Sequence, residues 1–414
     1  MGAENARLDA IEAMYHRGQW REGYAAADPS RFISDEGKLS ARYLRALGLM
    51  QLGRPDLAIA ELRVILAEHP RLDRVRLTLA TALRATGDEE GARHHYELLL
   101  GSELDPDLDR QIRSSLATLG ADKSWSLSTY FSVIPSTNVN SGTGSDVISI
   151  GGVTFRPADG SKQQSGTGVE YGFEAGYRIP LSNDWSLIAK GGVSRRDYRG
   201  SEWDETNPAG SLGVMRNIAV GYWGAEAVVS QTWATIDSGH RAAIDSYGAR
   251  LYGRFVPGSS WRFDATAEIL ARDYRYADVL DGYRVSAQTT IDRIIDSSRF
   301  FRGLGSGVYE KAERGDLTYH DLTLGAGLFN EWSYGISTYV QASVAGRWYH
   351  GDFAFAGEPR RDLRANGLLR IAKRDFTVLG FAPYWQVSYT TNRSNVGLYE
   401  YDKFDLDLGW TRSF

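Results

Sequence analysis

The side chains best able to hold a metal or move a proton are seven histidines: His16, His69, His94, His95, His240, His320 and His350. None stands at metal-ligand spacing from another, so no metal is expected. His94 and His95 are adjacent in a helical stretch, where neighbours point apart, and read as part of a solvated face. No HExxH, phosphate-loop or nucleophile-elbow motif occurs. His240, His320 and His350 fall near loop ends, so no serine–histidine pair gathers on one face. Gly303-Leu304-Gly305-Ser306-Gly307 is glycine-rich, but in a strand it reads as close packing or a kink, not a phosphate cradle. No catalytic residue, no cofactor and no enzymatic activity are expected. What recurs instead is charge of both signs at alternate positions of long stretches: Glu170, Glu174, Arg178, Arg196, Arg250, Asp264, Glu268, Arg364 and Arg370. Such a set forms either a salt-bridged interior that holds a barrel in shape or a polar conduit. Its mixed signs argue against strong selectivity for small ions.

The elements that carry these charges are strands. Phe404, Leu406, Leu408, Trp410 and Phe414 alternate with polar residues to the end of the chain, giving a strand with one apolar face. Val169, Tyr171, Phe173, Ala175 and Tyr177 repeat the pattern, as do Leu322, Leu324, Ala326 and Leu328. Neither a set of core-filling helices nor a second sheet accompanies them, so the apolar face is assigned to lipid around a closed barrel. Short turn-forming connections (Pro180 to Asp184, Pro257 to Ser260, Asp296 to Ser298) alternate with longer polar ones (Gly200 to Ala209, Asp352 to Pro359, Asn392 to Leu398). Fourteen antiparallel strands result, the first near Trp125 and the thirteenth near Phe376. An even number puts both barrel ends on the short-turn, periplasmic side. The connection from Pro135 to Gly166 is long enough to plug the lumen or form a lid, and a short hairpin is read from Val147 to Phe155.

Composition agrees. The 414 residues include 45 Gly, 23 Tyr and 11 Trp, no Cys, and a net charge of −5. Without cysteine there is no disulfide, thiolate site or lipid-bearing N-terminal cysteine in this sequence. No basic stripe is present, so nucleic acid is not an expected partner. Met1-Gly2-Ala3-Glu4-Asn5 runs straight into a helix. Since the barrel must cross an inner membrane, a removed signal is expected.

Residues 1–120 are read as a separate helical domain and 121–414 as the barrel, an α+β multidomain chain. In the helical part, Ala46, Leu49, Gly53, Ala58 and Leu62 are matched 34 residues on by Ala80, Leu83, Gly87, Ala92 and Tyr96. The spacing resembles tetratricopeptide repeats. A third, irregular repeat is read around Gly18, Trp20 and Gly23, with a connection from Asp28 to Lys38, and a capping helix from Asp105 to Thr118. The repeat resemblance implies a binding groove lined by Tyr43, Leu47, Met50, Arg74, Leu77, Thr81 and Arg84. Leu47 and Leu77 also read as plain core.

The barrel part resembles the surface lipoprotein assembly modulator (Slam) family. The residues that carry this are Pro135-Ser136-Thr137-Asn138-Val139-Asn140, Ser194 to Asp204, Ser246 to Leu251, Leu280 to Tyr283, and Ser394-Asn395 through Asp402 to Phe414. Pro135, Asn138 and Asn140 mark the loop motif. Gly409, Trp410 and Phe414 match a barrel-insertion signal, although Arg412 stands where that signal usually has an apolar residue. The resemblance implies an outer-membrane translocator or assembly factor, with repeats in the periplasm that meet a client lipoprotein or secreted protein. The barrel-assembly machinery and outer-membrane lipid would be its other partners. A channel for polysaccharide export or for passive solute diffusion is the alternative.

Overall fold

In a computed structural model the described residues are 2–102, 105–119, 124–200, 203–236, 240–258, 260–275, 277–354, 356–374, 376 and 381–411. Seven helices come first: α1 (Gly2–His16), α2 (Trp20–Ala26), α3 (Asp35–Gln51), α4 (Pro55–Glu68), α5 (Asp73–Ala85), α6 (Glu89–Leu99) and α7 (Pro106–Thr118). The first six form three hairpins. Each turns on a glycine of positive φ: Gly18 (74°), Gly53 (73°) and Gly87 (79°). The same double clasp closes each turn. Gly53 N–H donates to Met50 O and Arg54 N–H to Leu49 O; the bonds of Gly87 and Asp88, and of Gly18 and Gln19, repeat this. A residue with a Cβ resists that left-handed position, which explains why glycine recurs at the same step of each hairpin.

The small residues predicted to let helices touch do so. Ala46, Ala58, Ala80 and Ala92 are fully buried in one core with Leu62, Leu83 and Tyr96. The irregular first hairpin is present. The connection after it is shorter than the reading to Lys38, because α3 begins at Asp35. Ser34 Oγ accepts the Gly37 N–H at 3.0 Å and caps the helix there.

The barrel has fourteen antiparallel strands: β1 (Trp125–Ser136), β4 (Gly166–Pro180), β5 (Trp185–Tyr198), β6 (Glu205–Ile218), β7 (Gly221–Ile236), β8 (His240–Phe255), β9 (Trp261–Tyr274), β10 (Gly282–Asp296), β11 (Arg299–Ala312), β12 (Tyr319–Glu331), β13 (Ile336–Asp352), β14 (Pro359–Lys373), β15 (Ala382–Ser394) and β16 (Tyr401–Thr411). Each pairs with the next, and β1 closes the ring on β16 through Phe131↔Trp410 and Val133↔Leu408. The remaining strands, β2 (Ile148–Ile150) and β3 (Val153–Phe155), form the small hairpin read between the first two barrel strands.

The apolar set faces outward: Leu324, Val340, Leu363, Phe404 and Tyr171 are all exposed. No described helix is long and apolar enough to cross a membrane; the strands are the membrane-facing elements.

Two readings need correction. The thirteenth barrel strand starts at Ala382, not near Phe376, which lies in the preceding turn with its ring 6.2 Å from that of Trp410. The glycine run of β11 is neither closely packed nor kinked. A Cβ on Gly307 would meet nothing within 4 Å, one on Gly303 only a carbonyl oxygen at 3.9 Å, and β11 pairs with β12 without a register break. Gly305 and Gly307 instead open a shallow depression on the outer wall beside Leu251, Leu322 and Leu324.

Candidate functional site: the short-turn mouth and the helices that fill it

The nine predicted lumen residues stand on the inward set of their strands, opposite the exposed apolar one. Register turns several into ion pairs. Glu170 lies directly across from Arg196, Arg250 from Glu268 and Arg254 from Asp264, with nitrogen–oxygen distances of 2.9, 2.6 and 2.6 Å. Cross-strand pairing at such short range fixes register as well as charge. Arg364 reaches Asp321 at 3.4 Å, and the Arg370 guanidinium lies 3.9 Å from the Tyr384 ring centre. At these positions the inner wall is salt-bridged, as the first of the two sequence readings has it. Glu174 and Arg178 share the same face, and Arg178 lines a cavity between wall and helices.

The helical domain does not hang free below the barrel. Helix α6 stands in the short-turn mouth, against inward-facing residues of β8 to β12. Leu98 packs with Ile294, Phe300 and Phe329, all nearly fully buried. A Cβ on Gly101 would come within 3.0 Å of Ile294 Cβ, so only glycine lets the chain pass the wall here.

Two charge clusters flank this contact. In one, Glu97, 1% exposed, pairs with Arg262 and, at 3.3 Å, with Arg254. Burial pushes the Glu97 carboxyl up, but Arg262, Arg254 and Arg93 outweigh it and hold it below the usual carboxylate range. In the other, the Glu331 carboxylate takes Arg76 from α5 and, at 3.1 Å, Arg374 from the turn after β14. Arg76 also donates to His95 Nδ1 at 2.9 Å and to Pro70 O at 2.6 Å. A guanidinium can only donate, so His95 Nδ1 accepts and the ring is neutral with its proton on Nε2. Burial, then the charge of Arg76, holds His95 well below its ordinary range. Backbone contacts complete the seat: Gly335 N–H donates to Ala67 O at 3.2 Å, and Arg113 to Val256 O at 3.3 Å.

The reading of His94 and His95 as a solvated face is therefore wrong. His95 is 4% exposed, and the His94 side chain lies 3.8 Å from Glu331, with its ring edge-on to Phe329. Neighbours on a helix do point apart, but here the barrel wall meets one and the helical core the other.

The predicted groove residues divide. Tyr43 hydrogen-bonds Thr78 at 3.1 Å and, with Met50 and Leu77, packs on the helical core; Leu47 packs on the core of the first hairpin. Arg74 and Thr81 are exposed and Arg84 half-buried, so the outer side of α5 is where a partner could touch charged groups.

The loop motif is structural in its contacts. Asn138, fully buried, donates to Gly142 O (2.9 Å) and Asp402 O (3.2 Å) and accepts from Gly142 N–H. Asn140 donates to Lys162 O at 2.6 Å and accepts from Gln164 N–H at 3.0 Å. Together they tie residues 137–165 to the long-loop rim. There the β2–β3 hairpin packs through Ile148 and Ile150 on Val396, Phe353 and Tyr399. The loop is thus tethered to the rim and packed on the rim loops. Gly409 and Trp410 lie in β16; Phe414 is outside the described residues.

A helical domain seated in one mouth of a salt-bridged barrel, with a tethered loop at the other rim, is the arrangement to compare. The family model described as surface lipoprotein assembly modifier matches residues 125–414. The chain belongs to that family. Among relatives, Surface lipoprotein assembly modifier 1 of Neisseria meningitidis serogroup B is 27% identical, over 92% of this chain and 77% of its own length. The Pasteurella multocida Surface lipoprotein assembly modifier is 24% identical over 94% and 78%. Both alignments extend beyond the barrel into the helical domain. A solved toluene transporter of Pseudomonas putida, TodX, is 11% identical, covers 72% of this chain and 92% of its own, and superposes with a TM-score of 0.39. This family member is an outer-membrane protein with a role in surface lipoprotein assembly. The rim that carries the helices is its periplasmic side.

Proposed function

We propose that the protein delivers client lipoproteins or secreted proteins to the cell surface, its helical domain receiving the client and its barrel passing it outward. The observation that carries this reading is the seating of a three-hairpin helical domain in the periplasmic mouth. A client held on α5 is within a helix width of the lumen. The Neisseria and Pasteurella relatives, named for surface lipoprotein assembly, support the client class. The protein acts without enzymatic chemistry or a bound cofactor, and client folding or a partner supplies the energy. The barrel-assembly machinery inserts it into outer-membrane lipid. Mixed lumen charge disfavours a dedicated polyanion exporter.

The test is protease shaving of intact cells with and without the gene, read by surface proteomics. One or two lipoproteins or secreted proteins should vanish from the surface and persist in the periplasm. An unchanged surface with impaired solute uptake would replace this reading with a passive channel.

A further inference from the structure

We propose that the seated α6 is a closed gate held by a charge latch, and that it must leave the mouth before a client can pass. This rests on the translocator reading and supplies its regulation.

The first argument is the nature of the contact. An interface meant never to open is served as well by apolar residues as by ions, because buried ion pairs lose most of their attraction to desolvation. Here the apolar part is small: Leu98 among Ile294, Phe300, Phe329 and the half-buried Tyr339, and Val256, after β8, on the helical core. Charges flank it on both sides. Several are imperfectly satisfied: Arg76 Nε has no hydrogen-bond partner among the described residues, Arg262 Nε reaches Asp264 only at 3.7 Å, and His94 Nε2 and Glu331 Oε1 reach each other only at 3.8 Å. Each would gain water on release, which lowers the cost of opening.

The second argument is what remains on the wall. Arg254 and Arg262 hold Glu97, yet each also has a barrel acid: Arg254 pairs with Asp264 at 2.6 Å, and Arg262 with Asp292. Asp292 is further held by Arg302 at 2.7 Å. Glu331 keeps Arg374 when Arg76 departs. Each barrel charge of the latch thus keeps a barrel partner when the helices leave, whereas Glu97 gives up both of its arginines. A cavity of about 270 Å³ already separates α6 and α7 from the wall, with Arg93, Arg113, Arg178, Lys190 and Arg254 in its lining. Release would widen this existing cleft.

The absence of cysteine makes a clean lock possible. Gly101→Cys with Ile294→Cys removes the Ile294 methyl group that crowds the glycine and leaves the two Cβ atoms 3.0 Å apart, so the chain must back away by roughly 0.5 Å to reach disulfide geometry, after which oxidation pins the helix in the mouth. In planar bilayers, Glu97→Gln should raise the conducting fraction by at least about tenfold over the parent, because one side of the latch then lacks its charge. Adding the oxidised lock to Glu97→Gln should abolish that gain, and reduction should restore it. A Glu97→Gln protein that is folded by heat-modifiable migration yet conducts no more than the parent overturns the latch. A lock bridged on a non-reducing gel that leaves the Glu97→Gln conductance unchanged overturns the gate. In cells, oxidised lock and reduced lock should differ in surface delivery of the client found by shaving. If bilayer gating holds while even the parent delivers no lipoprotein, the translocator reading fails and the gate stands.

Discussion

Asn138 shows how a residue can mark a family for a reason unconnected with a partner. Its amide is fully buried, and both ends are used: the nitrogen donates to Gly142 O and Asp402 O, and the oxygen accepts from Gly142 N–H. Pro135, three residues earlier and next to last in β1, faces Thr167 and brings no N–H that would need a partner. Asn138→Ala leaves these backbone groups unsatisfied in a buried site, at a cost of about 1–3 kcal/mol. The loop of residues 137–165 should then be cleaved by protease several-fold faster, with the barrel as resistant as before. If cleavage is unchanged while client delivery falls, the asparagine serves recognition instead of tethering. The motif could be picked out from the sequence by resemblance, but its role could not. Asp402 is 264 residues away, and nothing local says that the two meet.

Among the elements, α6 is the one whose environment and sequence pattern disagree. The hairpins were legible because alanine, glycine and leucine repeat at one spacing, and the strands because lipid outside and charge inside force a period of two. Phe376 misled because an apolar residue in a turn beside Trp410 looks like the first outward residue of a strand. His94 and His95 misled because a helix face is judged solvated from its own neighbours. Glu331, which meets both Arg76 and His94, lies more than two hundred residues on.

The same burial makes seating pH-dependent. Burial lowers His94 and His95 below their ordinary value, and nearby cations add to this. The charged groups around them are Arg63 and Arg76 from the helices and Glu331, Arg262 and Arg374 from the barrel side; Glu331 opposes the shift and is outweighed. Out of the mouth, His94 sheds its burial against Glu331 and Phe329 and returns toward the ordinary histidine range, whereas His95 stays beside Arg76 on the helical side. Above that range neither state is charged at His94, and seating keeps its full strength. As pH falls through it, the released ring takes up a proton that the seated one refuses. Acid therefore weakens seating, by up to about 1.4 kcal/mol for each unit below. Conductance at pH 5.5 should exceed that at pH 7.5, and His94→Gln should flatten the difference. A wild-type profile that is flat or rises toward alkaline pH would mean that the ring stays buried in every state the pore visits.

At the scale of the whole molecule, recognition and closure sit on successive helices of one hairpin. Helix α5 carries exposed Arg74 and Thr81 and half-buried Arg84 on its outer side, and buried Arg76 toward Glu331. Helix α6 carries Glu97 and Leu98 into the mouth. The shared core of Leu79, Ala80, Leu83, Ala92 and Tyr96 joins the two helices into one packed unit. A client pulling on the outer side of α5 thus pulls on the Arg76 end of the latch, with no relay through the barrel wall. The consequence is a separation of effects. Arg74→Glu with Arg84→Glu changes one exposed and one half-buried charge outside the helical core, so the helices should lose no more than about 1 kcal/mol of stability and stay folded. Client capture by the purified protein should weaken several-fold, while conductance without client stays at the closed level. Glu97→Gln should do the reverse, leaving capture intact and opening the pore. If charge reversal on α5 opens the pore by itself, the outer side of α5 belongs to the latch and not to the client. If it changes neither capture nor conductance, the client is held elsewhere on the helical domain, and the half-buried Tyr43, Leu47 and Met50 of α3 are the next residues to alter.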